Sequence, residues 1–330
     1  KKFRHPTLER LCQVNGQIKN QNEVTMESLY EVAATSRQAF RRWLRRGAAR
    51  QAHTPPQTVL DMARDVRQTY LPGSSAREVY FYIRKWHEKY SFALYGWGKH
   101  RFEALCLANG LRIEYRSFVP KTTVRGHFVF PNRIEGLELS GIDQVWASDI
   151  CYLFGSHGKL IGYATSLIDL YSRRLLGLNF SITMHAEQTS SAVLKQAFDT
   201  RKKNAFDNLI FHSDGGKQYI ECNFLNALKE RNIQSSMAEN CFENAFAEAF
   251  NDTLKNHMLP EFDLNSFAQL KKIEPFVKDA YNYNKPHNSL NRFTPVEFER
   301  SLLSLQQCQR TLLKIKKIEH NPTILNHLYF

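Results

Sequence analysis

The sequence predicts an α/β fold, in which a five-stranded mixed sheet with flanking helices is preceded by small all-α domains. Two observations support this prediction. In the first part of the chain, apolar residues recur at helical spacing among many basic residues. From Gln144 onward, runs of β-favouring residues alternate with helical stretches. The length of 330 residues suits one large domain or two to three ordinary ones.

The charge is distributed unevenly along the chain. Residues 1–140 carry 24 lysines and arginines against 12 acidic residues, whereas residues 141–330 carry 21 against 20. The net charge of +13 favours a polyanionic partner, and this asymmetry assigns that partner to the first part of the chain. The alternative is a basic surface that is merely solvated.

Several protein classes are disfavoured by the composition. No apolar run is long enough to span a bilayer, and no apolar segment follows the basic first residues, so we expect neither a membrane protein nor a signal peptide. The six cysteines include no Cys-x-x-Cys pair, which argues against a zinc finger. We therefore expect a cytoplasmic protein with reduced thiols.

Residues 1–50 predict a helix-turn-helix DNA-binding domain. Two amphipathic stretches flank a short break, Ala34-Thr35-Ser36, which contains a candidate N-cap for the following helix. The second stretch carries arginines that could meet phosphates or guanine edges, namely Arg37, Arg41, Arg42 and Arg45. A plain helical hairpin with a solvated basic face is the alternative.

Residues 58–115 predict a second small helical DNA-binding domain. Its helices are expected at residues 58–70, 76–90 and 98–109. Lys99 and Arg101 lie at the start of the third helix and are candidate DNA contacts. A basic linker, residues 116–142, follows and could track a nucleic-acid backbone with Arg125.

Residues 143–300 predict the α/β core, and a tail of residues 301–330 follows that could bind DNA or a neighbouring subunit. The expected order is strands at 145–154, 160–170 and 174–182, a helix at 186–202, a strand at 208–212, a helix at 219–231, a strand at 234–237 and a helix at 243–258. This is the element order of an RNase H-like fold.

Three carboxylates carry the predicted chemistry. Asp149 lies between apolar neighbours in the first strand, Asp214 follows the fourth strand, and Glu248 lies in the late helix. In an RNase H-like fold these positions converge at one edge of the sheet. Carboxylates hold Mg²⁺, and two such ions can activate the attacking oxygen and stabilise the leaving oxygen in phosphoryl transfer. We therefore predict that Asp149, Asp214 and Glu248 are catalytic metal ligands.

Other acidic residues compete for this role. Asp169 ends the second predicted strand, where a turn residue is the ordinary expectation. Glu239 lies before the late helix, and Glu243 is expected at its start, where its charge would complement the helix dipole.

Several motifs occur in a recognisable order. They read WASDI at 146–150, IDLYSRR at 168–174, HSDGGKQY at 212–219, NAFAEAF at 244–250 followed by Leu254 and Lys255, and YNKPHNSL at 283–290 followed by Thr294 and Pro295. With these motifs the sequence resembles DDE transposases of the bacterial insertion-sequence type, specifically orf-B-like products with a retroviral-integrase-like catalytic core. The stretch at 36–43 also resembles the DNA-binding lead-in of that family.

The resemblance implies a function and partners. It implies metal-dependent cleavage at transposon ends and joining to target DNA, with two Mg²⁺ ions that Mn²⁺ can replace. It further implies double-stranded DNA as substrate, a homo-oligomer assembled on DNA, association with the bacterial nucleoid and no membrane partner. Lys255 is a candidate to hold the DNA backbone near the metals, and His287 either touches phosphate or has a structural role.

Some positions depart from the family pattern. There are 33 residues between Asp214 and Glu248, two fewer than is usual. Four residues differ from those usual in the family, and none of these differences removes a predicted metal ligand. They are Cys151, Glu243, Ala249 and Lys285. A domesticated DNA-binding regulator without chemistry is one alternative. A nuclease acting on RNA–DNA hybrids is another, but it does not explain the N-terminal domain or the motif at 283–290.

Overall fold

A computed structural model describes residues 30–31, 36–39, 54–85, 94–112, 129–155, 158–238 and 244–315. The chain divides into two compact units, residues 1–54 and 55–330. In the first unit, residues 37–39 are helical, and Ser36 Oγ accepts a hydrogen bond from the backbone N–H of Ala39 at 3.1 Å. This is the bond expected of a capping serine. The remainder of the predicted helix-turn-helix lies almost entirely outside the described residues.

The second unit begins with three helices, α1 (Pro56–Thr69), α2 (Ala76–Lys85) and α3 (Lys99–Ala108). A proline suits the start of α1, because the first N–H groups of a helix have no partner within it. The chain leaves α3 through Gly110, whose φ of +76° favours glycine. Their apolar faces form a small core around Val66, Ile83 and Phe102.

These helices pack against the C-terminal part of the same unit. Arg67 donates to Glu261 at 2.6 Å, and further ion pairs join Glu78 to Lys285 and Lys85 to Glu297. A Cβ at Gly73 would lie 1.3 Å from the carbonyl oxygen of His257, so only glycine fits this contact. The division at 115 between a helical domain and the core therefore stays a prediction, since both lie in one compact unit.

The centre of the unit is a five-stranded mixed sheet. Its strands are β2 (Val145–Phe154), β3 (Leu160–Asp169), β4 (Leu175–Ser181), β5 (Ile210–Ser213) and β6 (Gln234–Met237). Their order is β4-β3-β2-β5-β6. β2, β3 and β4 pair antiparallel, whereas β5 is parallel to β2 and β6 is parallel to β5. The predicted α/β fold with an RNase H-like core is confirmed.

Helices cover both faces of the sheet. They are α4 (Ser190–Arg201), α5 (Cys222–Lys229), α6 (Ala245–Asp252), α7 (Phe267–Asp279) and α8 (Pro295–Leu302). On one face, Val193 of α4 and Phe224 of α5 pack with Trp146 of the sheet. On the other face, Phe250 of α6 and Leu270 of α7 pack with strand residues such as Leu178.

Two π-helical segments and one pair of short strands in this unit were not predicted. π-Helical segments, Thr253–Met258 and Ala280–Asn284, continue α6 and α7. β1 (Glu138–Leu139) pairs antiparallel with β7 (Leu313–Lys314), so part of the predicted linker pairs with part of the predicted tail. The boundaries at 142 and 300 consequently stay predictions. Within the described ranges, no helix combines the length and apolar character needed to cross a bilayer.

Candidate active site

The register of two parallel strands brings Asp149 and Asp214 together. Ala147 of β2 lies beside His212 of β5. Asp149 is two residues beyond Ala147, and Asp214 is two residues beyond His212, just past the end of β5. Because side chains alternate between the faces of a strand, both aspartates lie on the same face of adjacent strands, which are spaced by about 4.8 Å.

Helix α6 adds the third carboxylate. Asn251 Nδ2 donates to Asp149 Oδ2 at 2.8 Å, and Ser166 Oγ of β3 donates to Asn251 Oδ1 at 3.3 Å. Glu248 lies three residues before Asn251, on the same side of the helix. The Asn251 bond therefore turns the Glu248 side of α6 towards the aspartates.

Burial opposes the ionisation of all three carboxylates. Burial, followed by the charges of Asp214 and Glu248, raises the pKa of Asp149 to about 7. Burial also raises the pKa of Asp214, although the N–H of Gly216 donates to its Oδ1 at 3.1 Å. Burial raises the pKa of Glu248, and the positive charge of Lys255 counteracts part of that rise. A bound cation would relieve this repulsion.

A buried hydrogen-bond network supports the site from beneath. Ser148 Oγ donates to the carbonyl of Ser166 at 2.7 Å and bonds to the Tyr219 hydroxyl at 2.9 Å. Asn244 Nδ2 donates to the carbonyl of Ser148 at 3.0 Å and so fixes the start of α6 against β2. At Gly216, a Cβ would lie 3.0 Å from Asp214 Oδ1, which leaves little room for a side chain beside the carboxylate.

The arrangement is incomplete as a metal centre. In the part of the chain that the structure describes, no group of three or more His, Cys, Asp and Glu side chains is arranged so that it could hold an ion. The aspartate pair is partly buried at the edge of the sheet, whereas Glu248 is exposed. The donor set consists of hard oxygen ligands, which suits Mg²⁺ or Mn²⁺.

The predicted DNA contacts fall in different places. Arg37 is exposed in the first unit, and Lys99 and Arg101 lie in the first turn of α3, with the Arg101 guanidinium 4.1 Å from the centroid of the Trp97 ring. Lys255 lies in the π-helical segment after α6, on the side of Glu248. The other predicted contacts, Arg41, Arg42, Arg45 and Arg125, lie outside the described residues.

His287 lies inside the fold. Its ring packs edge-on against Tyr281 at a centroid distance of 4.8 Å. Burial, followed by the charge of Lys285, lowers the pKa of His287 to about 3, so the ring is neutral at physiological pH. This placement favours a structural role for His287 over a phosphate contact. The role of His287 stays a prediction.

The competing carboxylate Asp169 has a structural position. Its Oδ1 accepts hydrogen bonds from the N–H groups of Tyr171 and Ser172 at 3.0 and 2.9 Å, as expected of a turn residue. Its Oδ2 lies 3.0 Å from Arg201. Glu239 and Glu243 lie outside the described residues.

Sequence reasoning did not find Asn251 or Ser148 as parts of the site. Asn251 carried a usable signal, because a polar residue three positions after Glu248 shares its helix face and is costly to bury without a partner. Ser148 gave no such signal, since its role depends on a contact with the side chain of Tyr219, 71 residues away.

Comparisons with known proteins find relatives of this chain. Residues 141–240 and 232–295 match two family models, each described as "Integrase core domain". "Transposase InsF for insertion sequence IS3A" of Escherichia coli (strain K12) is 32% identical over 50% of this chain and 57% of its own length. "Insertion element IS600 uncharacterized 31 kDa protein" of Shigella sonnei is 28% identical over 61% of this chain and 74% of its own length.

Solved structures that are similar at low identity include a viral integrase core. The magnesium complex of the HTLV-2 integrase catalytic core domain, in trimeric form, is 16% identical over 53% of this chain and 99% of that chain, with a TM-score of 0.38. The chain spans little more than half the length of the Escherichia coli transposases. The resemblance to insertion-sequence transposases is confirmed, since residues 141–295 match the two integrase core models and half of the chain is similar to such a transposase.

Proposed function

We propose that the chain is a DNA transposase that cleaves phosphodiester bonds at transposon ends and transfers the strands to target DNA. Its metal ligands are Asp149, Asp214 and Glu248. Together they bind two Mg²⁺ ions, which Mn²⁺ can replace. The observation that carries the proposal is the position of Asp149 and Asp214, each two residues beyond the register pair of Ala147 and His212, with the pKa of Asp149 raised to about 7.

The donor set fits a divalent cation in its chemistry. The charges of Asp214 and Glu248 oppose the ionisation of Asp149, and no salt bridge to any of the three is found among the described residues. Because these residues do not yet form a three-ligand group, movement of Glu248 towards the aspartates is part of the proposal. The bound ions would activate the attacking oxygen and stabilise the leaving oxygen of the phosphodiester.

The chain's own residues orient the ligands and the substrate. Asn251 holds one carboxylate oxygen of Asp149, and the N–H of Gly216 holds one oxygen of Asp214, so each carboxylate has a fixed orientation. Lys255 supplies a positive charge beside Glu248, where a DNA phosphate would need one. It is the candidate to hold the backbone near the reacting bond.

Binding of DNA is assigned to the basic first part of the chain. Arg37, Arg41, Arg42 and Arg45 would read or position the transposon end, and Lys99, Arg101 and Arg125 would contact its backbone. Because two ends must be joined in one event, we propose a homo-oligomer assembled on DNA.

A cleavage assay tests the proposal. The full chain is incubated with a labelled duplex carrying the terminal repeat of its element and with Mg²⁺ or Mn²⁺. Asp214→Asn is run beside Asp207→Asn, which removes the same charge from an exposed loop seven residues earlier. We expect metal-dependent nicking or joining by wild type and Asp207→Asn, and DNA binding without chemistry by Asp214→Asn. DNA binding without chemistry in all three proteins would overturn the proposal and support the regulator.

A further inference from the structure

The motifs at 168–174 and 283–290 include no proposed metal ligand, yet both contribute to the contacts of α6 on its side opposite Glu248. Phe246 and Phe250 lie on that side, one helical turn apart. Phe250 packs edge-on against Tyr281 at 4.9 Å, and Tyr281 packs against His287 of the second motif. The first motif reaches Phe246 through Arg173.

Arg173 has an unusual conformation for its residue type. It follows the turn that Asp169 organises, and its φ is +60°, in the left-handed region that a long side chain rarely adopts. Such a conformation persists where the surrounding structure determines it. The hydrogen bonds that Asp169 accepts from Tyr171 and Ser172 provide that determination.

The guanidinium of Arg173 lies over an aromatic ring of α6. Its central carbon is 4.0 Å from the centroid of Phe246, within the range of a cation–π contact. Its Nη1 is buried and lacks a hydrogen-bond partner among the described residues, so the ring is a principal partner of this group. Phe246 is two residues before Glu248.

The start of α6 is therefore fixed from two sides. On the side of β2, Asn244 Nδ2 donates to the carbonyl of Ser148, the residue before Asp149. On the opposite side of the helix, the guanidinium of Arg173 packs over the ring of Phe246. Between these two contacts lies the first turn of the helix, which sets the direction in which Glu248 projects.

We propose that Arg173 is a positioning residue, which sets the rotation of the first turn of α6 through Phe246 and thereby brings Glu248 to the aspartate pair. The inference rests on the proposed function, because it concerns how the third ligand reaches that site. Arg173 touches neither metal nor DNA in this account.

The chain offers a matched control. Arg292 also has a positive φ, +69°, its guanidinium lies 4.5 Å from the centroid of an aromatic ring, Phe81, and its Nη1 is also buried without a hydrogen-bond partner among the described residues. Phe81 belongs to α2 and not to α6. Arg173→Gly and Arg292→Gly both remove a stacked guanidinium and relax a strained backbone, so neither is expected to prevent folding.

The experiment compares wild type, Arg173→Gly, Arg292→Gly and Arg173→Lys as full chains. Bound Mn²⁺ is measured by the loss of the electron paramagnetic resonance signal of free Mn²⁺, and nicking, DNA affinity and thermal stability are measured in parallel. For Arg173→Gly we expect Mn²⁺ affinity and nicking to fall about 10–100-fold, as for other residues that orient metal ligands, with DNA affinity and thermal midpoint unchanged. Arg292→Gly should retain wild-type Mn²⁺ affinity, and Arg173→Lys should recover part of the loss.

Two results would overturn the inference. One is equal Mn²⁺ affinity in Arg173→Gly and wild type. The other is a fall in DNA affinity that matches the fall in nicking, which would make Arg173 a DNA contact. Absence of metal-dependent nicking in wild type would instead contradict the proposed function, so the two failures are distinguishable.

Discussion

Two groups of three carboxylates lie in the same core and differ in their partners. The paired cluster comprises Asp143, Asp169 and Glu299, with the cations Arg174, Arg201 and Lys203. The open cluster comprises Asp149, Asp214 and Glu248, whose polar partners include the amide of Asn251, the N–H of Gly216 and the more distant charge of Lys255.

The ionisation of the two clusters shows the consequence of this difference. Burial opposes the charge of Glu299, but the hydrogen bond and charge of Arg201 outweigh it and lower the pKa of Glu299. Burial raises the pKa of Asp169, although three backbone N–H groups and Arg201 donate to its carboxylate. In the open cluster the pKa of all three carboxylates is raised.

The comparison teaches that acidic residues alone do not identify a catalytic site. The paired cluster is neutralised by the chain itself and joins α4, α8 and the end of β3. The open cluster carries an electrostatic cost that the chain offsets only in part. A site that is to bind a cation has to carry such a cost before the ligand arrives.

The largest expected effect comes from breaking the paired cluster. Arg201→Met leaves three buried carboxylates without the guanidinium that they share. The Arg201 side chain is only 5% exposed. We expect the free energy of unfolding to fall by about 3–5 kcal/mol in urea denaturation. Lys203→Met removes a side chain that is 50% exposed and should cost less than about 1 kcal/mol. Similar losses in the two variants would contradict the role assigned to burial.

The next effect is a pH dependence that belongs to the open cluster. The folded-state pKa of Asp149, about 7, exceeds its ordinary value of 3.8, so the unfolded chain releases this proton more readily. Stability contributed by the protonated group is therefore present below about pH 4 and lost as the pH rises through 7. In EDTA, we expect wild type to lose about 3 kcal/mol over this interval relative to Asp149→Asn. Parallel stability profiles for the two proteins would refute this interpretation.

A smaller effect is expected at Asp214. Asp214→Asn removes one of the repelling charges but keeps an oxygen that can accept the hydrogen bond from Gly216. Without metal, we expect the variant to be more stable than wild type by about 1 kcal/mol at pH 8. Asp207→Asn, on an exposed loop, should change stability by less than about 0.5 kcal/mol. Destabilisation by Asp214→Asn would show that the open cluster carries no electrostatic cost.

The sequence predicted features that depend on local patterns. The bounds of β2 and β6 agree with the prediction, because β-favouring residues and flanking turn residues mark these strands. The positions of Asp149 within β2 and of Asp214 just beyond β5 followed from the same pattern. Asp169 was expected to be a turn residue, and its bonds to two following N–H groups confirm this expectation.

The features that were not predicted depend on contacts between distant segments. β1 and β7 have two residues each, which is too short for a periodic signal. They pair with each other although most of the core lies between them in the sequence. The ion pair of Arg67 with Glu261 spans 194 residues. The π-helical segment after α6 adjoins the turn at Gly73, a contact that no pattern within α6 could indicate.

Metal-induced stabilisation tests the central claim most directly. Thermal or urea unfolding of wild type, Asp214→Asn and Asp207→Asn is followed with increasing Mn²⁺ at constant ionic strength. At a concentration about 100-fold above the dissociation constant, wild type and Asp207→Asn should gain about 2.7 kcal/mol of stability, and Asp214→Asn should gain far less. Equal gains in all three proteins, or no gain in wild type, would contradict the claim that the open cluster binds a divalent cation.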